Sequence, residues 1–343
     1  MSSMYTESAR LKEKYGAENV YDFGMGNPNL PAPDSIRETS IRVLQETDPW
    51  YLHHYMPNNG FPEAREKIAA SLNRRFGEHF DANNIMMCTG AAGGLNCLLK
   101  VLMDPGQEIL TFAPYFGEYD RYADNVGCTL TTVPPNIPTF QPDPAALEKC
   151  VTEKTRAVLI DNPNNPTGAV LSAEDIVAIQ SIALKHDLFV IADEIYAELT
   201  YGRDHVSFAE GFEDRTLLIN GFSKAFAMTG WRLGYAAGPK PVIDAMLKIH
   251  QYTMLCAPIM SQKAGEEALR TEMHKNYYQV REMVRNYNRR RVFVVQSFRD
   301  MGFSCFEPRG AFYAFPNITK TGLSSEEFCR RLIMEQHVAC VPG

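Results

Sequence analysis

Lys224 stands in Asn220-Gly221-Phe222-Ser223-Lys224-Ala225-Phe226, with Arg232 eight residues further on. In mostly apolar surroundings an ammonium loses hydration, leaving an amine suited to Schiff-base chemistry. A lysine whose head reaches solvent along an apolar stem fits the same residues. Upstream, Ile191-Ala192-Asp193-Glu194-Ile195-Tyr196 puts an acidic pair at the end of an apolar run. Burying a carboxylate without a partner is costly, so Asp193 needs a cationic neighbour, unless it caps a helix. Between Asp161 and Gly168 two Asn-Pro steps make a stiff loop that either presents an amide or simply turns the chain. Cys88-Thr89-Gly90-Ala91-Ala92-Gly93-Gly94 is a turn of small residues before a helical stretch. Backbone N–H groups at such a helix start suit a phosphate, and a tight turn is the alternative. The segment is neither a P-loop nor G-x-G-x-x-G.

Each of these segments follows an apolar run. The runs Ile85–Cys88, 108–112, 129–133, 157–161, 188–192, 216–220 and 233–237 are short, and several are continuously apolar, as strands buried on both faces are. Helical stretches lie between them, over 93–103 and 173–186, the second with Ser172 and Asp175 as a capping signal. Alternating strands and helices predict an α/β domain with a largely parallel sheet and right-handed crossovers. In such sheets ligands collect beyond the carboxyl ends of the strands, where the four segments fall. Residues 1–39, rich in Pro and Asn, read as irregular. One long helix is predicted over about 271–300, then short strands and a helix near 325–336, which together suggest a small α+β domain.

Over 343 residues, 45% hydrophobic and 22% charged, the composition is that of a folded globular protein and excludes general disorder. The longest stretch without Asp, Glu, Lys or Arg, 125–142, holds four prolines and is no membrane span. Residues 1–11 carry Glu7 and Arg10 and lack the apolar core of a signal peptide. A net charge of −7 argues against a dedicated nucleic-acid partner. Arg281, Arg285 and Arg289 recur every four residues and read as a solvated helix face. Eight cysteines without C-x-x-C or zinc-ligand spacing read as reduced thiols, predicting a cytoplasmic, reducing location and no metal site. The adjacent pair His53-His54 does not converge on one ion.

Taken together, the motifs resemble the aspartate aminotransferase family, class I/II aminotransferases of the pyridoxal 5′-phosphate (PLP)-dependent fold type I. The resemblance rests on Asn165-Pro166-Thr167-Gly168, Asp193-x-x-Tyr196 and Ser223-Lys224 with Arg232, in the family's order and spacing. It extends upstream through Gly26-x-Pro28, Tyr55-x-Pro57-x-x-Gly60 and Pro114-Tyr115-Phe116, and downstream through Gly310-Ala311-Phe312-Tyr313 and Val341-Pro342-Gly343. It implies a large domain over 40–285, with a mainly parallel seven-stranded sheet between helices. A small α+β domain would be built from 1–39 and 286–343.

The resemblance also implies roles. Lys224 would hold PLP as an internal aldimine and shuttle the substrate proton. Asp193 would pair with the pyridine nitrogen, and Asn165 and Tyr196 with the ring oxygen. Arg232, Ser223 and the backbone of Gly90, Ala91 and Ala92 would take the phosphate. Phe116 would stack on the ring, with Tyr115 as the alternative one residue away. Tyr55 would reach the cofactor of a partner subunit, making a homodimer the active unit, and Gly26 would lie beside the substrate carboxylate with Asn165 and Phe116. The implied activity exchanges an amino group between an amino acid and a 2-oxo acid in a ping-pong cycle, within amino acid metabolism. A carbon–sulfur β-lyase or decarboxylase shares the same residues, because PLP supplies the electron sink in all of them. A PLP-binding regulator would need a DNA-binding module ahead of the core.

Two departures stand out. Gly221 stands, three residues before the lysine, where many relatives carry a hydroxyl residue, so one phosphate contact would be lost or taken over by Ser223. The arginine that clamps the substrate carboxylate in relatives is expected beyond Gly343, and Arg309 is misplaced for that role. Tyr252 to Met260 reads as core or subunit contact rather than a substrate pocket.

Overall fold

The apolar runs become strands because both of their faces have helices to bury against. The computed structural model describes residues 2–343. Along the chain the elements are α1 (Ser2–Tyr15), β1 (Tyr21–Asp22), α2 (Asp34–Glu46), α3 (Pro49–Leu52), α4 (Pro62–Phe76), β2 (Ile85–Cys88), α5 (Gly90–Leu102) and β3 (Glu108–Phe112). Then come α6 (Tyr119–Asp124), β4 (Thr129–Val133), α7 (Pro144–Cys150), β5 (Thr155–Asp161), α8 (Ala173–Lys185), β6 (Phe189–Asp193), β7 (Thr216–Gly221) and β8 (Gly234–Ala237). The last are α9 (Lys240–Thr253), α10 (Ile259–His274), α11 (Tyr278–Asp300), β9 (Ser304–Cys305), β10 (Pro316–Asn317), α12 (Ser325–Gln336) and β11 (Val338–Ala339).

Strands β2 to β8 form one sheet in the order β2-β8-β7-β6-β5-β3-β4. Pairing is parallel from β7 through β6, β5 and β3 to β4; β8 alone runs antiparallel to its neighbours β7 and β2. Side chains alternate between two apolar layers, as the strand period of two requires. Met86, Leu159, Ile191 and Ile219 face Leu95 and Leu98 of α5 and Met246 of α9. On the opposite face Val158, Ile160 and Val190 meet Ile176 and Ile179 of α8. There Ile85, Met87 and Leu218 meet Ile68 and Leu72 of α4 and Ala264 of α10. Ser172 and Asp175 form the predicted capping box of α8.

Two expectations are corrected. Residues 1–39 are not irregular throughout: α1, β1 and the start of α2 lie there, and Met1 is outside the described residues. The Pro- and Asn-rich character is confined to 23–33, whereas α1 has no Pro or Gly and docks Leu11 against Val20, Ile333 and Ala339. The long helix is two helices. Asn276 and Tyr277 between α10 and α11 take left-handed conformations, φ 50° and 55°. The buried Glu272 accepts hydrogen bonds from the N–H groups of Gln279 and Val280, capping α11 from the preceding helix. In the Tyr252–Met260 stretch, read as core or subunit contact, Ala257 is buried in the core, while Tyr252, 85% exposed, and Met254 lie at the surface. Arg281, Arg285 and Arg289 lie on the exposed side of α11.

β1 pairs in parallel with β11, which brings the two ends of the chain together. All eight cysteines are free thiols.

Candidate active site

Three strand ends and one turn supply the groups. β6 ends at Asp193, buried to 5% exposure in register with Asp161 at the end of β5 and Ile219 on β7. Tyr119 Oη donates to Asp193 Oδ2 at 2.9 Å, and the N–H of Ile195 donates to Oδ1 at 3.3 Å. Burial pushes the Asp193 carboxyl up, to about 6, against the Tyr119 hydroxyl and the charge of Lys224, which hold it down. Glu194 faces the other side of the strand, accepting from Phe208 N–H (2.8 Å), Ser207 Oγ (3.1 Å) and His205 Nε2 (2.8 Å).

Lys224 follows the end of β7 and reaches the Gly26 carbonyl with Nζ. Its ammonium lies 5.6 Å from the ring centres of both Tyr196 and Phe312. Loss of hydration lowers its pKa to about 8, with the nearby Asp193 charge opposing the shift. Both titrating groups are displaced toward neutrality, the arrangement expected where a proton must move. Tyr196 Oη shares a hydrogen bond with Tyr313 Oη, which also receives Asn165 Nδ2 at 3.4 Å. The Asn165 loop is pinned by its own N–H to Asp161 Oδ2 at 2.7 Å.

Arg232 sits at the opposite end of this line. It takes a left-handed conformation (φ 51°) two residues before β8 and donates to the Thr229 carbonyl at 3.0 Å. Its guanidinium lies over the start of α5: a Cβ on Gly90 would meet Arg232 Nη2 at 2.5 Å, and Gly90 itself has φ 71°. A Cβ on Gly234 would meet the Gly90 carbonyl carbon at 2.6 Å and the Ala91 nitrogen at 2.8 Å. Backbone therefore packs on backbone, and only glycine fits both places. Ala91 and Ala92 continue the first turn of α5, and Ser223 is buried beside Lys224. Phe116 meets Tyr119 edge-on at 5.5 Å, and Tyr115 lies parallel to Tyr119 at 6.5 Å. Tyr55 is not brought to Lys224; it is 89% exposed.

This arrangement has close relatives. The family described as aminotransferase class I and II matches residues 17–343. The chain belongs to the class I and II aminotransferases. It is 42% identical to a putative aminotransferase, YugH, of Bacillus subtilis, over 95% of this chain and 83% of that protein. It is 39% identical to an aspartate aminotransferase of Pyrococcus abyssi, over 96% and 84% of the two chains. Among solved structures, an aromatic aminotransferase from Pyrococcus horikoshii superposes with a TM-score of 0.90 at 38% identity, covering 98% of this chain and 89% of that one. The Thermus thermophilus aspartate aminotransferase with maleate gives 0.93 at 30% identity, over 99% and 87%. The α/β fold with its mostly parallel seven-stranded sheet is thus that of the aspartate aminotransferases. The protein is an aminotransferase, acting on amino and 2-oxo acids, in a family that uses PLP.

The residues of this aminotransferase fit that cofactor on chemical grounds. Arg232 has no carboxylate within ion-pair distance among the described residues, so an anion is its natural complement. Thr89 Oγ1, buried at the entry to α5, has no hydrogen-bond partner. Sequence reasoning missed Tyr119 and gave no role to Tyr313 or Asp161. Tyr119 lay three residues past Phe116 and Tyr313 inside a quoted motif. Their approach to Asp193 and Tyr196 is made across 74 and 117 residues of chain, which no local pattern encodes.

Proposed function

We propose that this aminotransferase carries PLP on Lys224 and works as a homodimer. The observation that supports it is the convergence of a buried, pKa-lowered lysine and a buried carboxylate with an arginine lacking an acidic partner at a helix start. When bound, PLP supplies an electron sink to the amino-bearing carbon of the substrate. Asp193 holds a proton on the pyridine nitrogen. Asn165 and Tyr196, the latter supported by Tyr313, orient the ring oxygen. Phe116 covers a ring face. Arg232, Ser223 and the N–H groups of Gly90, Ala91 and Ala92 bind the phosphate, with Thr89 Oγ1 a further donor. Lys224, near neutrality, takes and returns the substrate proton, and Gly26 lies beside the substrate with Asn165.

Exposure of Tyr55, Trp50 and Tyr252 supports the subunit contact, since large aromatic groups left in water favour burial against a second copy. Tyr55 would complete the neighbour's phosphate site. Pairing of β1 with β11 supports a small domain made from 1–39 and 286–343 beside a large one over 40–285. Free thiols support a cytoplasmic location. Aspartate and aromatic amino acids, the substrates in the relatives' names, are the first to test. Borohydride reduction of the PLP-loaded protein followed by peptide mapping should leave the pyridoxyl label on Lys224. A label on Lys185, Lys240 or any other lysine overturns the assignment.

A further inference from the structure

Cys329 and Cys340 are not needed by the chemistry above, yet their sulfurs lie 3.4 Å apart. The fold holds them there from both sides. Cys329 is on the buried side of α12, 5% exposed. His337 ends that helix in a left-handed conformation (φ 56°), turning the chain back. Its ring stacks on Tyr15 with centres 4.3 Å apart. The next two residues are β11, fixed by its pairing with β1, and Cys340 follows directly. Further on, Ser325 Oγ at the start of α12 donates to the Gly343 carbonyl at 2.7 Å. No other pair of cysteine sulfurs lies within hydrogen-bond distance among the described residues, and Cys340 is the more accessible member of this pair.

We propose that Cys329 and Cys340 form a dithiol that closes to an intramolecular disulfide when the protein meets a low-molecular-weight disulfide such as oxidised glutathione. A disulfide bond is about 2.0 Å long, so the sulfurs must approach by roughly 1.4 Å from their separation in the structure. Cys340, as the thiolate, attacks one sulfur of the small disulfide; a mixed disulfide forms and a small thiolate leaves, taking up a proton. Cys329 then gives its proton to solvent and attacks the Cys340 sulfur, releasing the second small thiol. Two protein thiols are oxidised and one small disulfide is reduced to two thiols. The order follows from access, and from burial and the adjacent Cys340 sulfur, which push the Cys329 thiol up to about 12 and make it the poorer first nucleophile. The bridge would tie α12 to the segment carrying Val341-Pro342-Gly343.

The test uses the full chain, folded and reduced, exposed to oxidised glutathione, acid-quenched, alkylated and digested with trypsin. Trypsin cuts at Arg330 and Arg331, between the two cysteines. The expected product is a cross-linked pair of peptides containing Cys329 and Cys340, lost on adding dithiothreitol. In Cys329→Ser the reaction should stop at a stable glutathione adduct on Cys340; in Cys340→Ser, Cys329 should stay unmodified over the same period. The proposal is overturned if both thiols of the native protein are still alkylated after the other accessible cysteines have reacted. It is equally overturned if Cys340 keeps its adduct with Cys329 present, or if the cross-link appears only in urea. None of these readouts depends on PLP or turnover.

Discussion

Lys224 is poised as a base because its ammonium has been stripped of water without being given a fixed anionic contact. In the cofactor-free protein, the neutral form needed to attack an aldehyde is half-populated near pH 8, not near the 10.5 of a free lysine. The rate at which the cofactor-free protein takes up PLP, followed by absorbance, is expected to rise with pH to half its plateau near 8. A midpoint near 10.5 would mean that the amine is solvated. The same shift affects stability. Between pH 8 and 10.5 the unfolded chain keeps this proton and the folded one has lost it, so stability rises with pH across that window. The lysine itself was legible from its flanking residues, Phe222, Ala225 and Phe226, all buried. What could not be read was the support for its neighbours, because Tyr119 and Tyr313 act through approaches set by the whole fold.

At the scale of elements, β8 meets the first turn of α5 where we propose that the cofactor phosphate binds. Gly90→Ala is expected to displace the Arg232 guanidinium, since the new Cβ would lie 2.5 Å from Nη2 at a positive φ. Losing a charge-assisted hydrogen bond of about 1.5–3 kcal/mol corresponds to roughly 10- to 150-fold weaker PLP binding. Equilibrium dialysis measures this, with circular dichroism checking that the fold is kept. Unchanged affinity would place the phosphate elsewhere. Behind β6, Glu78 is 2% exposed, shares a hydrogen bond with Ser207 Oγ and has its other oxygen without a partner. Burial and the nearby Glu194 raise it to about 8, while Ser207 and Arg75 act in the opposite direction. A carboxyl raised in the fold holds a proton that the unfolded chain has released, so its contribution to stability falls as pH rises from about 4.5 to 8. Glu78→Gln should flatten the decline of urea-unfolding stability over that window; an unchanged slope would mean that Glu78 is ionised in the fold. Most of the seven strands were legible because doubly buried strands leave continuous apolar runs; the edge strand β4, Thr-rich and partly exposed, carries that signal only weakly. The break between α10 and α11 was not, since Asn276-Tyr277 holds neither Gly nor Pro and the turn depends on a side chain, Glu272, from the helix before.

For the whole molecule, mixing two inactive proteins tests shared sites. If Tyr55 serves the neighbouring subunit, a hybrid of Lys224→Ala and Tyr55→Phe chains carries one site with both defects and one with neither. Activity is then expected to rise above both parents once subunits have exchanged. No rise, with exchange verified by native mass spectrometry, would confine each site to one chain. The sheet order has a consequence of another kind. β8 is the last of the seven strands to leave the ribosome, yet its place is between β2 and β7, made some 150 and 20 residues earlier. Until about residue 237 has emerged, a nascent chain has β2 detached and an unpaired apolar edge on β7, a surface that sticks to other chains. Inserting β8 closes that slot and, in the same movement, brings Arg232 and Gly234 against Gly90. The proposed phosphate site thus forms together with closure of the sheet, so PLP bound there would favour only chains that have completed this late step and would act as a selective ligand during biosynthesis.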